Sequence, residues 1–261
     1  MWFWRYTLKP RRALSALAGA RPREGALLRV GDGFADVHPW PELGDAPLDE
    51  QLALLARGET TPLTRRSLWF ASVWRREMFD GLTIPRSHWP GSEPPEGFDT
   101  VKIKMPGGVL PDGYRLRLDF NNDAEAFARA APTLPRERID FVEDPCLYDA
   151  VRWREIRESG FRLALDRAVA TEGVDVLVVK PAVQDVPEVD IPIIITSYMD
   201  HPIGQLHAAY VAANSTETCG LVTHVLYESD PFIERMRISP DARLIPPDFT
   251  DLLEALPWKR L

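Results

Sequence analysis

TVKIKM (100–105), RLRLDF (115–120), IDFVEDP (139–145), RLALD (162–166) and VDVLVVK (174–180) decide how this chain folds. Each run is rich in Val, Ile, Leu or Phe. Each carries a charged residue at or beside its C-terminal end: Lys104 with Lys102 two residues before it, then Asp119, Glu143, Asp166 and Lys180. Short apolar runs bounded by turn residues read as buried strands. The stretches Asn122–Ala131 and Tyr148–Ser159 read as helices between them. Further strands are expected near 192–197 and 219–223. Strand–helix units repeated in this way imply a parallel sheet. In a parallel (β/α) barrel the C-terminal ends of all strands open onto one face, so charges far apart in sequence converge there.

Three carboxylates brought together repel one another unless a cation sits between them. An all-oxygen donor set selects a hard ion, Mg²⁺ first and Mn²⁺ next. The intervals support one shared site: fifteen residues from Lys104 to Asp119, twenty-four to Glu143 and twenty-three to Asp166, the last two each the length of one barrel unit. Alone, a K-x-K is an ordinary feature of an exposed strand, and a strand-end Asp an ordinary cap for the next helix. The ordered series is what points to chemistry. Period-two alternation puts Lys102 and Lys104 on one strand face. A neighbouring ammonium and a bound cation both favour neutral lysine, lowering its pKa from about 10.4. That prepares it to take a proton from a carbon next to a carboxylate.

The N-terminal part follows different rules. Residues 2–8 read as a strand. ALLRV (26–30) and FADV (34–37) flank Gly31-Asp32-Gly33 and read as a hairpin. A loop at 10–25 lies between them. Leu48–Arg57 and Thr64–Met78 show helical spacing, the second with Thr61-Pro62 as a start signal. Residues 81–98, rich in Pro, Gly and Ser, read as a linker. Two connectors between strands, Pro106–Tyr114 and residues 181–191, are too short for the usual helical crossover, which predicts a barrel partly bare of helices on its outside. GGxxPDG (107–113) lacks the Lys-Ser/Thr ending of a phosphate loop and reads as a turn-rich linker.

Composition narrows the function classes. The chain has 261 residues, 45% hydrophobic, with a net charge of −8 and its charges interspersed. No basic stripe follows a phosphate backbone, so nucleic acid is not an expected partner. Cys146 and Cys219 read as small buried residues. The start MWFWRYTLKPRR lacks signal-peptide order, and no apolar run spans a bilayer, so a soluble cytoplasmic protein acting on a small molecule is expected. His38, His88, His201, His207 and His224 show no metal-ligand spacing; they read as loop or surface residues, His201 having the best claim to a site role.

FADVHPWPELGD (34–45), TVKIKM, LRLDFN, IDFVEDP, LALDR, VVKPA and ITSYMDHPIGQ (195–205) together resemble the enolase superfamily, and within it the divergent bacterial branch of the o-succinylbenzoate synthase family. The resemblance runs over most of the chain. It implies an α/β fold: a modified TIM-type (β/α) barrel with shortened connectors at 98–225, an N-terminal α+β capping domain at 1–97 with the linker 81–98, and a C-terminal segment, 226–261, packing back on the cap. It implies dehydration of 2-succinyl-6-hydroxy-2,4-cyclohexadiene-1-carboxylate to o-succinylbenzoate, in menaquinone biosynthesis. It implies Mg²⁺ on Asp119, Glu143 and Asp166, Lys104 as the acid/base, and Lys180 as the lysine on the opposite face of the substrate. It places Lys102, Arg117, Asn121, Ser197 and Gly204 on the substrate side, with Trp40 a further candidate for the pocket. Asp200 stands where the family usually has Glu, and Arg167 where Glu usually follows the third ligand. Two other readings stay open: an N-acylamino acid racemase or dipeptide epimerase of the same superfamily, and a catalytically silent homologue. The sequence leaves the oligomeric state undefined.

Overall fold

The structure, a computed structural model, describes residues 1–14 and 19–261; the middle of the 10–25 loop, residues 15–18, lies outside the described residues. Strands β1 (Trp2–Leu8), β2 (Arg23–Val30) and β3 (Gly33–Val37) form an antiparallel sheet. Pairing of Val30 with Gly33 leaves Gly31-Asp32 as a two-residue turn, and Gly31 takes the left-handed φ of +60° that such turns require. Gly33 is held to glycine by packing, since a Cβ there would lie 1.9 Å from the Ala71 carbonyl oxygen. Helices α1 (Leu48–Ala56) and α2 (Pro62–Val73) cover this sheet. The second starts at a capping box: Thr61 Oγ1 accepts from the Thr64 N–H at 3.2 Å and Thr64 Oγ1 from the Thr61 N–H at 2.8 Å. Leu52, Leu55 and Leu63 pack on Ala26, Leu28 and Val37.

The second sheet is parallel throughout. Its strands run β4 (Trp89–Pro90), β5 (Thr100–Lys104), β6 (Arg115–Asp119), β7 (Ile139–Glu143), β8 (Leu163–Asp166), β9 (Val176–Val179) and β10 (Ile193–Ile195), side by side in sequence order. It closes on itself through two residues. Cys219 bridges Ser87 and Gly220 bridges Thr196, with His88 N–H donating to the Cys219 carbonyl and Ser197 N–H to the Gly220 carbonyl. The strand expected near 219–223 is therefore only a two-residue stave. The stretch 81–98, expected as a linker, supplies β4; its short length and its Pro and Ser content hid it.

Helices α3 (Ala124–Ala130) and α4 (Ala150–Glu158) are capped by Asp123 and Asp149, which accept from the N–H groups of Ala126 and Arg152 at 2.9 Å. Helix α5 (Pro202–Ala212) was not foreseen: it is buried nearly all round, so it carries no polar stripe to betray a helical period. The chain ends with the hairpin β11 (Arg237–Ile238) and β12 (Leu244–Ile245), helix α6 (Thr250–Glu254), and β13 (Lys259–Arg260), which pairs with β1.

Alternation along the strands gives the barrel two apolar sets. Ile103, Leu118, Val142, Leu165 and Leu177 face outward into the main core. Phe141, Ala164, Val176, Val178 and Ile194 face inward and form a separate core inside the barrel. No helix follows β5 or β9 within Pro106–Tyr114 or 181–191. The wall beside the second connector is nevertheless covered. Arg66 of α2 donates to the Pro181 carbonyl at 3.1 Å and pairs with Asp185, while Ala182 and Val183 pack on the β2–α1 leucines.

Candidate active site

Inward positions that are apolar low in the barrel become charged at its mouth. Lys104, Asp119 and Glu143 are direct register partners across β5, β6 and β7, and Asp166 stands one inward step beyond Ala164, the partner of Glu143. Register and alternation bring the three predicted ligands together, 2%, 1% and partly exposed in that order. Lys102 Nζ donates to Glu143 at 2.5 and 2.6 Å and lies 3.0 Å from Asp119; Lys104 pairs with Asp119 and donates to Asn121 Oδ1 at 3.1 Å; Lys180 pairs with Asp166.

The electrostatics follow from crowding. Burial, then the charge of Asp119, push Glu143 up to about 7 against the pull of Lys102. Burial and the charges of Asp166 and Glu143 push Asp144 up to about 8. Asp119 is also raised by burial, but Lys102 and Lys104 outweigh it and hold its carboxyl well below the usual range. Burial disfavours charged Lys102, yet Asp119, Glu143 and Asp166 prevail and raise its pKa. The expected lowering of Lys102 by its neighbour Lys104 is thus overridden here by carboxylates.

The turns that leave these strands are strained. Asn121, Asn122, Asp144, Arg167 and Met199 have φ between +46° and +66°: Asn121 48°, Asn122 66°, Asp144 46°, Arg167 60° and Met199 51°. Non-glycine residues in that region cost of order 1–3 kcal/mol each and cluster at functional sites. Here they turn the chain sharply after each acidic strand end, so that the following residue also reaches the mouth.

The mouth is a cavity of about 780 Å³. Of the sequence-predicted residues, Lys102, Lys104, Asn121, Asp166, Lys180, Ser197 and Trp40 line it, with Asp119 and Glu143 buried behind the lysines. Ser197 Oγ bonds Thr223 Oγ1 at 2.6 Å. Two predicted substrate residues lie elsewhere. Arg117 is buried below the cavity, its guanidinium committed to Asp140 at 2.8 Å, the Thr218 carbonyl at 2.6 Å and His88 Nδ1 at 3.0 Å. Gly204 sits inside α5, where a Cβ would meet Asp200 Oδ2 at 2.4 Å and Asp36 Oδ2 at 2.7 Å. It makes room for a buried carboxylate pair between β3 and α5.

His201 caps α5 through Nδ1, which accepts from the Ile203 N–H at 3.2 Å, and is not at the cavity. His88, read as a loop residue, is at the cavity, as are Asp144, Arg167, Thr196 and Thr223. Of these, Asp144 and Arg167, each directly after an acidic strand end, were visible in the sequence. The 38–45 loop closes one side. Trp40 Nε1 donates to the Tyr198 carbonyl at 2.9 Å, Tyr198 Oη to Asp45 at 2.9 Å, and Arg167 to the Leu43 carbonyl at 2.9 Å. Pro106, Gly107 and Gly108 of the first short connector close another.

The donor set fits a hard divalent cation. Among the described residues no three acidic, His or Cys side chains already converge as a metal cage, because ammonium nitrogens stand between them. Four carboxylates, Asp119, Glu143, Asp144 and Asp166, face three ammonium groups there, and burial first, then the neighbouring carboxylates, push Glu143 up to about 7 and Asp144 up to about 8.

Residues 1–75 match the family model described as the O-succinylbenzoate synthase N-terminal domain. A curated o-succinylbenzoate synthase from Bdellovibrio bacteriovorus is 35% identical over 320 aligned positions, covering 98% of this chain and 97% of that protein. As 261 residues cannot fill 320 positions, at least 59 fall opposite gaps in this chain, consistent with its trimmed connectors. Among solved structures, o-succinylbenzoate synthase from Thermosynechococcus elongatus BP-1, complexed with Mg in the active site, has a TM-score of 0.57 at 16% identity, covering 98% of this chain and 99% of that one. A dipeptide epimerase from Enterococcus faecalis V583, complexed with Mg and L-Leu-L-Tyr, has a TM-score of 0.65 at 15% identity, covering 93% and 95%. The low identities make these two likenesses of fold. Near-full-length similarity to the curated relative, the matched N-terminal model and the curled parallel sheet together establish that the chain belongs to the o-succinylbenzoate synthase family of hydro-lyases, within the enolase superfamily.

Proposed function

We propose that this chain is a Mg²⁺-dependent dehydratase converting 2-succinyl-6-hydroxy-2,4-cyclohexadiene-1-carboxylate to o-succinylbenzoate and water, as a step of menaquinone biosynthesis. The observation that carries the reading is the row Asp119, Glu143 and Asp166 on adjacent strand ends, with Lys102 and Lys104 on one flank and Lys180 on the other. Asp119, Glu143 and Asp166 would hold the ion. When bound, it supplies Lewis-acid stabilisation of negative charge on the substrate carboxylate. With the three acids so engaged, Lys102, Lys104 and Lys180 would be released from them and available to the substrate.

Lys104, with 39% of its side chain exposed to the cavity mouth, takes the proton from the carbon bearing the carboxylate. The electron pair left behind expels the hydroxyl on the neighbouring ring carbon, and the Lys104 ammonium returns its proton to that leaving group, so that water departs and the ring becomes aromatic. Lys180 faces the same intermediate from the other side and stabilises it as a fixed positive charge. The 38–45 loop and the 106–108 turn restrict water at the mouth.

The test is direct: purified protein, Mg²⁺ and the cyclohexadiene acid, with aromatic product followed by ultraviolet absorbance. Absence of turnover would overturn the reading. Parallel incubation with N-succinyl amino acids tests racemisation, which the opposed lysines also permit.

A further inference from the structure

At the seam where the barrel closes, three residues from three different staves meet. A Cβ placed on Gly220 would lie 2.8 Å from His88 Cε1, 3.0 Å from His88 Nε2 and 2.8 Å from Thr196 Cγ2. With no Cβ on Gly220, the His88 ring and the Thr196 methyl close directly against its backbone, and all three residues line one wall of the active-site cavity. That wall is polar. Thr196 Oγ1 is buried without a hydrogen-bond partner, an unusual state for a hydroxyl in a folded protein. His88 is 4% exposed and its ring is oriented from below. Its Nδ1 lies 3.0 Å from Arg117 Nη1, and a guanidinium has only donors to offer. Nδ1 must therefore accept, and the proton of the neutral ring must sit on Nε2. Arg117 cannot turn away, because Asp140, the Thr218 carbonyl and the Phe141 ring hold it.

Burial, then the nearby charges of Arg117, Lys102 and Lys180, hold the ring neutral, so the Nε2 donor persists across the working pH range. Among the described residues, its hydrogen bonds are this one and that of its backbone N–H to Cys219 at 2.9 Å. The Nε2–H is left for whatever enters the cavity at this wall. The seam lies across the barrel from β7 and β8, which carry Glu143 and Asp166. An oxygen reaching it lies on the wall facing the acidic row, apart from a carboxylate held at that row.

We propose that His88 and Thr196, spaced by Gly220, form a subsite that binds an oxygen of the substrate's acyl side arm, with His88 Nε2–H as the fixed donor. The assignment rests on the dehydratase reading above, and His88 acts in it as a binding residue, not as an acid or base. Arg117, which resembles a substrate-side arginine, serves instead to set the tautomer of the residue that touches the ligand.

Two substitutions separate the functions of the ring. His88→Asn retains an acceptor near the Nδ1 position for Arg117 and removes the Nε2 donor; His88→Gln places an amide N–H near the Nε2 position. Dissociation constants of o-succinylbenzoate and of benzoate, which lacks the arm, are measured by calorimetry with Mg²⁺ on the intact protein. The expected result is a loss of about tenfold or more for o-succinylbenzoate in His88→Asn, recovery to within about threefold in His88→Gln, and benzoate affinity unchanged. KM should rise with the same pattern while kcat changes little. Equal o-succinylbenzoate affinity in wild type and His88→Asn overturns the proposal, as does a matching loss for benzoate. Nitrogen NMR of labelled histidine provides a check independent of folding: a His88 ring protonated at Nδ1, or titrating between pH 6 and 8, also overturns it. Wild-type protein that makes no product would instead refute the dehydratase reading, so the two failures are distinct.

Discussion

Trp40 Nε1 donates to the carbonyl oxygen of Tyr198 at 2.9 Å, joining a loop of the N-terminal domain to the chain that leaves the seventh barrel strand. The indole is 1% exposed, Arg23 lies over it at 4.0 Å, and it lines the cavity. Trp40→Phe removes the donor and part of the buried ring. We expect a loss of about 1–3 kcal/mol in urea unfolding and a several-fold rise in KM. Wild-type values for both would show that the loop is held by Tyr198–Asp45 and Arg167–Leu43 alone.

Replacing Lys104 with Ala should lower turnover by about a hundredfold or more, the range attributed to a lost general acid–base. Far-ultraviolet circular dichroism should be unchanged, since Lys102 still neutralises Asp119. Lys180→Ala should also fall sharply, with Lys180→Arg keeping part of the activity because the charge remains. Near-normal product formation by Lys104→Ala would remove it from the chemistry.

EDTA should abolish turnover and added Mg²⁺ restore it. A ligand at one hundred times its dissociation constant adds about 2.7 kcal/mol to stability, several degrees in melting temperature for a chain of this size. Asp166→Asn should lose most of that thermal shift. Full activity after exhaustive chelation, or an unchanged shift in the variant, contradicts the metal assignment.

The carboxylates of Asp36 and Asp200 meet above Gly204, and Tyr6 Oη donates to Asp36 at 2.6 Å. Burial pushes Asp200 up to about 7, and burial with the charge of Asp200 raises Asp36 well above the carboxylate range. An unfolded Asp titrates near about 3.9. Between roughly pH 4 and pH 7 the native state therefore binds more protons than the unfolded state, and the pair's contribution to stability falls as pH rises through that window. Urea melts at pH 5 and pH 8 should show Asp200→Asn gaining stability relative to wild type on the alkaline side, because the buried neutral histidines act on both chains alike. A stability difference between the two chains that is the same at pH 5 and pH 8 would contradict the raised carboxyls of this pair.

The barrel strands were legible because each combines a buried apolar face with a charged inner end, and the convergence of Asp119, Glu143 and Asp166 was legible because regular spacing follows from one strand–helix unit per acidic strand end. What escaped had physical reasons. Trp89–Pro90 is too short to show alternation. Helix α5 is apolar on every side. His88 faces the cavity only because the sheet closes at Cys219 and Gly220, a contact across 131 residues that no local pattern announces. Arg117 was drawn to the site by its two-residue spacing from Asp119, but Asp140, its neighbour on the next strand, claims the guanidinium lower down.

Arg66, Ala182 and Val183 join α2 to the barrel where a crossover helix is missing. The N-terminal sheet and its helices are thus wall as well as lid. Excising them, or grafting them onto another barrel, would bare the apolar surface that Ala182 and Val183 share with the leucines of β2 and α1. The two parts should melt together in a single transition, and fragments expressed separately should aggregate until mixed.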